Sequence, residues 1–179
     1  MLEVGELSEL IRDVPDFPQK GVVFKDITTM LVHPGALGDS LTHLQRRLSD
    51  VDYDSVVCIE SRGFLFGAVL AARENLPLIL VRKPGKLPAD TISQDYELEY
   101  GSNTIEMHSG SLSNSGNALI VDDLVATGGS VLATANLVER EECGVAAVAY
   151  VINLEFLGGR EKIERAGYRT EFLIDVEAS

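Results

Sequence analysis

The chain has 179 residues, of which 45% are apolar and 24% charged, and a formal net charge of −13. That is the length of one domain with a full core. The acidity speaks against a broad nucleic-acid surface, which needs a basic face, and no apolar run reaches the roughly 18 to 20 residues of a membrane span. The N-terminal stretch MLEVGELSELIRDV lacks the basic-then-apolar order of a secretory signal. Cys58 and Cys143 both sit in apolar surroundings, which predicts buried free thiols in a reducing cytoplasm. No Cys/His spacing suggests a structural zinc site. A protein this acidic that takes a polyanionic ligand must gather positive charge, or carry a metal, at the site itself.

Leu7, Leu10, Ile11 and Val14 stand at helical spacing and predict a helix over residues 2–14, ended by Pro15. The proline- and glycine-bearing run PDFPQKGVVFKDIT then predicts an irregular loop packed on the body. In it Phe24 is either a core anchor or an aromatic wall for a flat ligand. A helix is expected over 34–48, with Arg46 and Arg47 near its C-terminus, where cations suit the dipole. His33 and His43 have no partner that suggests acid–base work. SVVCI (55–59) reads as a parallel strand running through Glu60, Ser61, Arg62 and Gly63 into a helix over 64–75. The next strand, 78–81, ends in Arg82 and Lys83, with Lys86 close behind; this is the local positive cluster that the overall charge demands. Residues 88–110 alternate around Gly101-Ser102-Asn103 and predict an antiparallel hairpin or flap. A polar insertion of this length between core strands is usually functional.

The stretch ALIVDDLVATGGS (118–130) combines a buried strand, two carboxylates and a small-residue turn, followed by a helix over 131–142. Amides at such a turn and helix start favour a phosphate. The acidic pair would repel an anion unless the ligand also carries a vicinal diol for it to hold. A strand over 145–152, a short helix over 158–166 and a strand over 172–176 complete the chain. Alternating strands and helices define an α/β domain with a largely parallel sheet. Three strand ends then converge on one edge, where open α/β sheets bind ligands.

VDDLVATGGS resembles the phosphoribosyl pyrophosphate (PRPP) motif of the type I phosphoribosyltransferases. GVVFKDIT, ESRGFLFG, VRKPGKLP, YELEYG and VDDLVATGG occur in the order and spacing of the adenine-specific branch of that family. The resemblance implies one domain over 1–179: a largely parallel central sheet flanked by helices, a small N-terminal hood (1–33) and a catalytic flap (84–110). It also implies transfer of phosphoribosyl from PRPP to N9 of adenine, giving AMP and pyrophosphate, in a cytoplasmic homodimer. Asp122 and Asp123 would hold the ribose hydroxyls, and Ala126, Thr127, Gly128, Gly129 and Ser130 the 5-phosphate. Glu60, Ser61, Arg62, Arg82, Lys83 and Lys86 would meet pyrophosphate, the turn at Glu60-Ser61 through a non-proline cis peptide. Phe24 and Leu154 would wall the base, with backbone groups of Val23 and Lys25 reading its edge; Lys25 stands where many members carry arginine. Glu99 is implied as general acid or base, with Tyr100 and Arg62 assisting. Mg2+ is implied as a cofactor bound through PRPP, with no direct protein ligand. Two alternatives stand beside this reading. One is a phosphoribosyltransferase for another purine, which would need a donor to O6 that NLEFLGG does not offer. The other is a non-catalytic PRPP sensor, which would need a DNA-binding region.

Overall fold

The computed structural model describes residues 1–17, 19–97 and 102–177. In chain order the elements are α1 (Val4–Glu9), β1 (Arg12–Pro15), β2 (Val23–Asp26), α2 (Thr28–Leu31), α3 (Ala36–Arg47), β3 (Ser55–Ile59), α4 (Gly63–Glu74) and β4 (Leu78–Val81). They continue as β5 (Thr91–Glu97), β6 (Ser102–His108), β7 (Asn117–Val121), β8 (Leu124–Val125), α5 (Gly129–Arg140), β9 (Gly144–Leu154), a 3₁₀ turn (Glu155–Leu157), α6 (Gly159–Arg165) and β10 (Thr170–Val176). The main sheet runs β10-β9-β7-β3-β4, all parallel, with β8 added alongside β9.

Side-chain alternation on the central strands builds two core layers. Val56, Cys58, Leu119 and Val121 pack on one face with α1 to α4; Val57, Ile59, Ala118 and Ile120 pack on the other with α5, α6 and β6. From β3 the chain winds outward to β4, whereas from β7 it winds the other way to β9 and β10. The sheet therefore reverses direction between β3 and β7, and the crevice beyond their C-terminal ends is the topological switch point where such sheets bind ligands.

The expected helix over 2–14 is not one element. It stops at α1, and Arg12–Pro15 instead pairs antiparallel with β2, Val14 opposite Phe24. Two ion pairs lie directly across that register: Arg12 Nη2 to Asp26 Oδ2 at 2.5 Å and Lys25 Nζ to Asp13 Oδ1 at 2.6 Å. A cross-strand partner distant in sequence outweighs the local helical period, and Pro15 is tolerated because it sits on an edge strand. The same pairing gives the segment expected to be an irregular loop its strand β2. Asp26 then starts α2, its Oδ1 accepting from Thr28 N at 2.9 Å and from Thr28 Oγ1 at 2.6 Å.

The second difference falls on the motif. Leu124 and Val125, given no element in the sequence reading, form β8 against Ile152 and Asn153. The strand is made possible by a bulge in β9: Val151 N and Ile152 N both donate to Asp123 O, at 3.1 and 3.0 Å. The bulge puts Ile152 and Leu154 on the same core face as Ala149 and Val151, the face that packs with α1 to α4.

Candidate active site

A crevice of about 450 Å³ lies at the β3/β7 switch point and is lined by Phe24, the Glu60–Arg62 turn, Tyr96 and the whole run from Asp122 to Val131. Each wall follows from local structure. The Glu60–Ser61 peptide is cis, and the turn leads at once into α4. A Cβ on Gly63 would come within 2.9 Å of Val121 O and 3.0 Å of Asp122 Oδ1, so glycine is what lets α4 begin against the acidic pair.

Both carboxylates are buried, Asp122 at 8% and Asp123 at 3% relative exposure. Asp122 Oδ1 accepts the Asp123 N–H at 2.8 Å, and Arg62 Nε lies 2.8 Å from Asp123 Oδ2. The Arg62 Nε–H is not aimed at Oδ2, which has no hydrogen bond among the described residues; the contact is an ion pair with acceptor capacity left over. Burial pushes the Asp122 carboxyl well above the usual carboxylate range, and the neighbouring Asp123 charge adds to it. Asp123 is also raised by burial, with Arg62 pulling the other way. Two desolvated carboxylates with spare lone pairs are poor structural elements and good acceptors for hydroxyl groups.

Beyond them the chain makes a phosphate-sized cradle. Gly128 takes φ +76° as the N-cap of α5, with no side-chain cap hydrogen bond, so the first amides of that helix keep their donors for a ligand. The turn is packed from behind by α6: a Cβ on Gly159 would stand 2.2 Å from Ala126 O and 2.7 Å from Gly128 N. On its other side, a Cβ on Gly129 would stand 3.0 Å from the Tyr96 ring. Gly159 and Tyr96 are site-forming residues that sequence reasoning missed. Gly158-Gly159 opening a short helix was the only signal for the first, and for the second there was only its place in the flap alternation.

At the base end, the Arg62 guanidinium carbon lies 5.2 Å from the Phe24 ring centroid, and Phe17 packs edge-on to Phe24 at 5.2 Å. Phe24 is thus a cavity wall, steadied by a second aromatic ring. The expected partners Val23, Lys25 and Leu154 do not line the cavity: Val23 is exposed on β2, the Lys25 amine is engaged by Asp13, and Leu154 is buried at the end of β9. In the basic cluster, Arg82 Nε pairs with Glu60 Oε2 at 2.9 Å, and the same oxygen accepts Lys83 N at 3.1 Å. Glu60 therefore fastens the basic turn to the cavity rim. The Lys83 and Lys86 side chains are exposed on that turn. Glu99 and Tyr100 lie outside the described residues. Cys58, beneath the site, is pushed up to about 12 by burial and by the Asp122 charge, which keeps it a thiol and out of nucleophilic chemistry.

A parallel sheet with an acidic pair and an uncapped phosphate turn at its switch point defines the class: residues 40–169 match the phosphoribosyl transferase domain. The chain is 48% identical over 171 residues to the adenine phosphoribosyltransferase of Chlorobaculum tepidum, covering 93% of this chain and 96% of the relative. It superposes on the crystal structure of the adenine phosphoribosyltransferase of Thermoanaerobacter pseudethanolicus with a TM-score of 0.89 at 42% identity, covering 97% and 99% of the two chains. The Saccharomyces cerevisiae enzyme, crystallised with an imino-altritol bisphosphate and adenine, aligns with a TM-score of 0.84 at 36% identity, covering 95% and 97%. This chain belongs to the adenine phosphoribosyltransferase family.

Proposed function

We infer that the protein transfers the 5-phosphoribosyl group of PRPP to N9 of adenine, releasing AMP and pyrophosphate. The observation that carries this is the junction of Asp122-Asp123 with the uncapped 126–130 turn in one cavity that also holds an aromatic wall. A ligand with a phosphate, a diol and a flat base satisfies all three. The turn amides and the α5 dipole hold the 5-phosphate, and the two carboxylates accept from the 2- and 3-hydroxyls, which fixes the anomeric carbon. Cleavage of the anomeric C–O bond develops positive charge on the sugar and negative charge on pyrophosphate. The buried carboxylates face the former. Arg62, and Arg82, Lys83 and Lys86 on the rim, answer the latter. Phe24 stacks on the base, and its neighbours on β2, Val23 and Lys25, meet the base edge through backbone groups rather than side chains, with Leu154 in the core behind. Glu99 exchanges the proton of the purine imidazole, and Tyr100 helps keep water from the activated sugar.

Mg2+ fits this site as a substrate-borne ion. The buried carboxylates of Asp122 and Asp123 suit an ion held mainly by substrate oxygens. When bound, it would neutralise charge on the leaving pyrophosphate. We further propose a homodimer, supported by the exposed Leu65 on α4 and Leu78 on the edge strand β4, beside the basic turn. Sedimentation at micromolar concentration should give twice the chain mass. No helix among the described residues is long and apolar enough to cross a membrane, and the buried free thiols suit the reducing cytoplasm. The test of the reaction is a coupled assay of each purine base with PRPP and Mg2+. AMP synthesis from adenine should exceed product from guanine, hypoxanthine or xanthine, and a faster 6-oxopurine would refute the adenine assignment.

A further inference from the structure

We propose that Tyr96 is a positioning residue for the phosphorylated donor, its ring being the contact through which the β5–β6 hairpin sets the phosphate turn; the proposal rests on the PRPP reading of the site. Tyr96 lines the cavity together with residues 126–131. A Cβ on Gly129 would lie 3.0 Å from Tyr96 Cδ2, 3.7 Å from Cε2 and 3.2 Å from Glu97 O. Gly129 does not have the positive φ of Gly128, so backbone conformation does not demand glycine there. What crowds it is the end of β5, the Tyr96 ring nearest and Glu97 O next, set against the first residue of α5, where a phosphate would be held.

The opposite side of the turn is closed by Gly159 of α6. The cradle is thus gripped between a helix and the hairpin. The hairpin also reaches the other pole of the donor site: Arg82 and Glu106 exchange both backbone hydrogen bonds, at 2.8 and 2.7 Å, and Glu106 Oε2 accepts Gly85 N at 3.1 Å. One antiparallel unit, registered residue for residue from Thr91↔His108 to Glu97↔Ser102, therefore touches both the basic turn and the phosphate turn. Tyr96 is its contact at the phosphate end. A tyrosine that merely packed a half-buried hairpin would stabilise the fold without distinguishing donor from acceptor; one that sets the cradle acts on the donor alone.

The experiment measures ribose 5-phosphate binding by calorimetry and steady-state constants for both substrates in Tyr96→Leu and Tyr96→Phe. Tyr96→Leu should raise the KM for PRPP and the Kd for ribose 5-phosphate about tenfold, as displacement of a positioning group by a fraction of an ångström does, with the adenine KM within about twofold. Tyr96→Phe, which keeps the ring, should match the wild type. Unchanged donor constants in Tyr96→Leu, a parallel rise for both substrates, or a Phe variant as impaired as the Leu variant would each overturn the proposal. Should Tyr96→Leu fail to fold, Tyr96→Ile, which removes the same ring from a strand position, carries the same expectation and the same refutation. Wild-type protein that binds no ribose 5-phosphate would instead sink the PRPP reading before Tyr96 is tested.

Discussion

Asp122 is held in the fold at a cost. Burial, and the Asp123 charge beside it, raise its folded pKa well above the 3.8 of an ordinary aspartate, so the charged form is what the native state disfavours. Below the unfolded pKa both states are protonated and no penalty arises; it grows as the pH rises above 3.8 and is complete above the folded pKa. Asp122→Asn removes the charge but keeps an acceptor for the Asp123 N–H. At pH 8 it should raise the melting temperature by about 2–4 °C for each kcal/mol relieved, one pKa unit being about 1.4 kcal/mol. The gain over wild type should vanish as the pH falls toward 4, and turnover should drop at least about a hundredfold. Thermal melts across pH 4 to 8 read the first; a variant less stable than wild type at pH 8 would contradict it. Gly159 carries a different constraint, since the atoms a Cβ would meet at 2.2 and 2.7 Å are backbone and cannot rotate away. Gly159→Ala should cost about 1–3 kcal/mol and raise the KM for PRPP by about tenfold or more. Gly5→Ala, with nothing within 4 Å in α1, should instead stabilise by about 0.5–1 kcal/mol.

At the scale of elements, the β1–β2 ribbon separates side-chain from backbone roles. Lys25 Nζ is bound to Asp13 across the register, so the side chain is spent on holding the ribbon. Lys25→Met should cost about 1 kcal/mol, since only the Asp13 side of the pair is exposed, with the adenine KM within about threefold. Phe24→Ala, by contrast, removes the cavity wall itself and should raise the adenine KM by about tenfold or more. Comparable losses in the two variants, in the same steady-state assay, would mean that the amine touches the base after all. The ribbon also shows where sequence reading stops. Strands β3, β4 and β7 were legible because each is a short apolar run ended by charge, a local signal. β1 was not, because Leu10, Ile11 and Val14 keep helical spacing and only contact with β2 decides against it. β8 escaped for the same reason: two residues become a strand only because a bulge in β9, some thirty residues downstream, presents two amides to Asp123 O. The acidic pair and the phosphate turn were readable as a motif. Gly159 and Tyr96 were not, since their role lies in what they approach.

At the scale of the whole molecule, a protein of net charge −13 is asked to capture a more highly charged anion than itself per unit size. Two fields act on that ligand. The long-range one is repulsive and comes from acidic groups spread over the surface. The short-range one comes from Arg62, Arg82, Lys83 and Lys86 around the cavity, with Arg62 and Arg82 only 2.8 and 2.9 Å from their carboxylate partners, together with the amides at the start of α5. Salt treats the two differently. The Debye length falls from about 30 Å at 0.01 M to about 8 Å at 0.15 M, which erases the distant repulsion while leaving contacts inside a partly buried crevice largely intact. A uniformly basic binding face would lose affinity steeply over that range. Here the association rate for PRPP, followed by stopped-flow, should rise or stay level between about 0.01 and 0.15 M salt, and the adenine KM, for an uncharged ligand, should not move. A fall in the PRPP association rate of about tenfold over the same range would show that the rim lysines steer the donor from a distance. The acidic surface would then be electrostatically disconnected from the site, and the local cation cluster would do more than neutralise the leaving group.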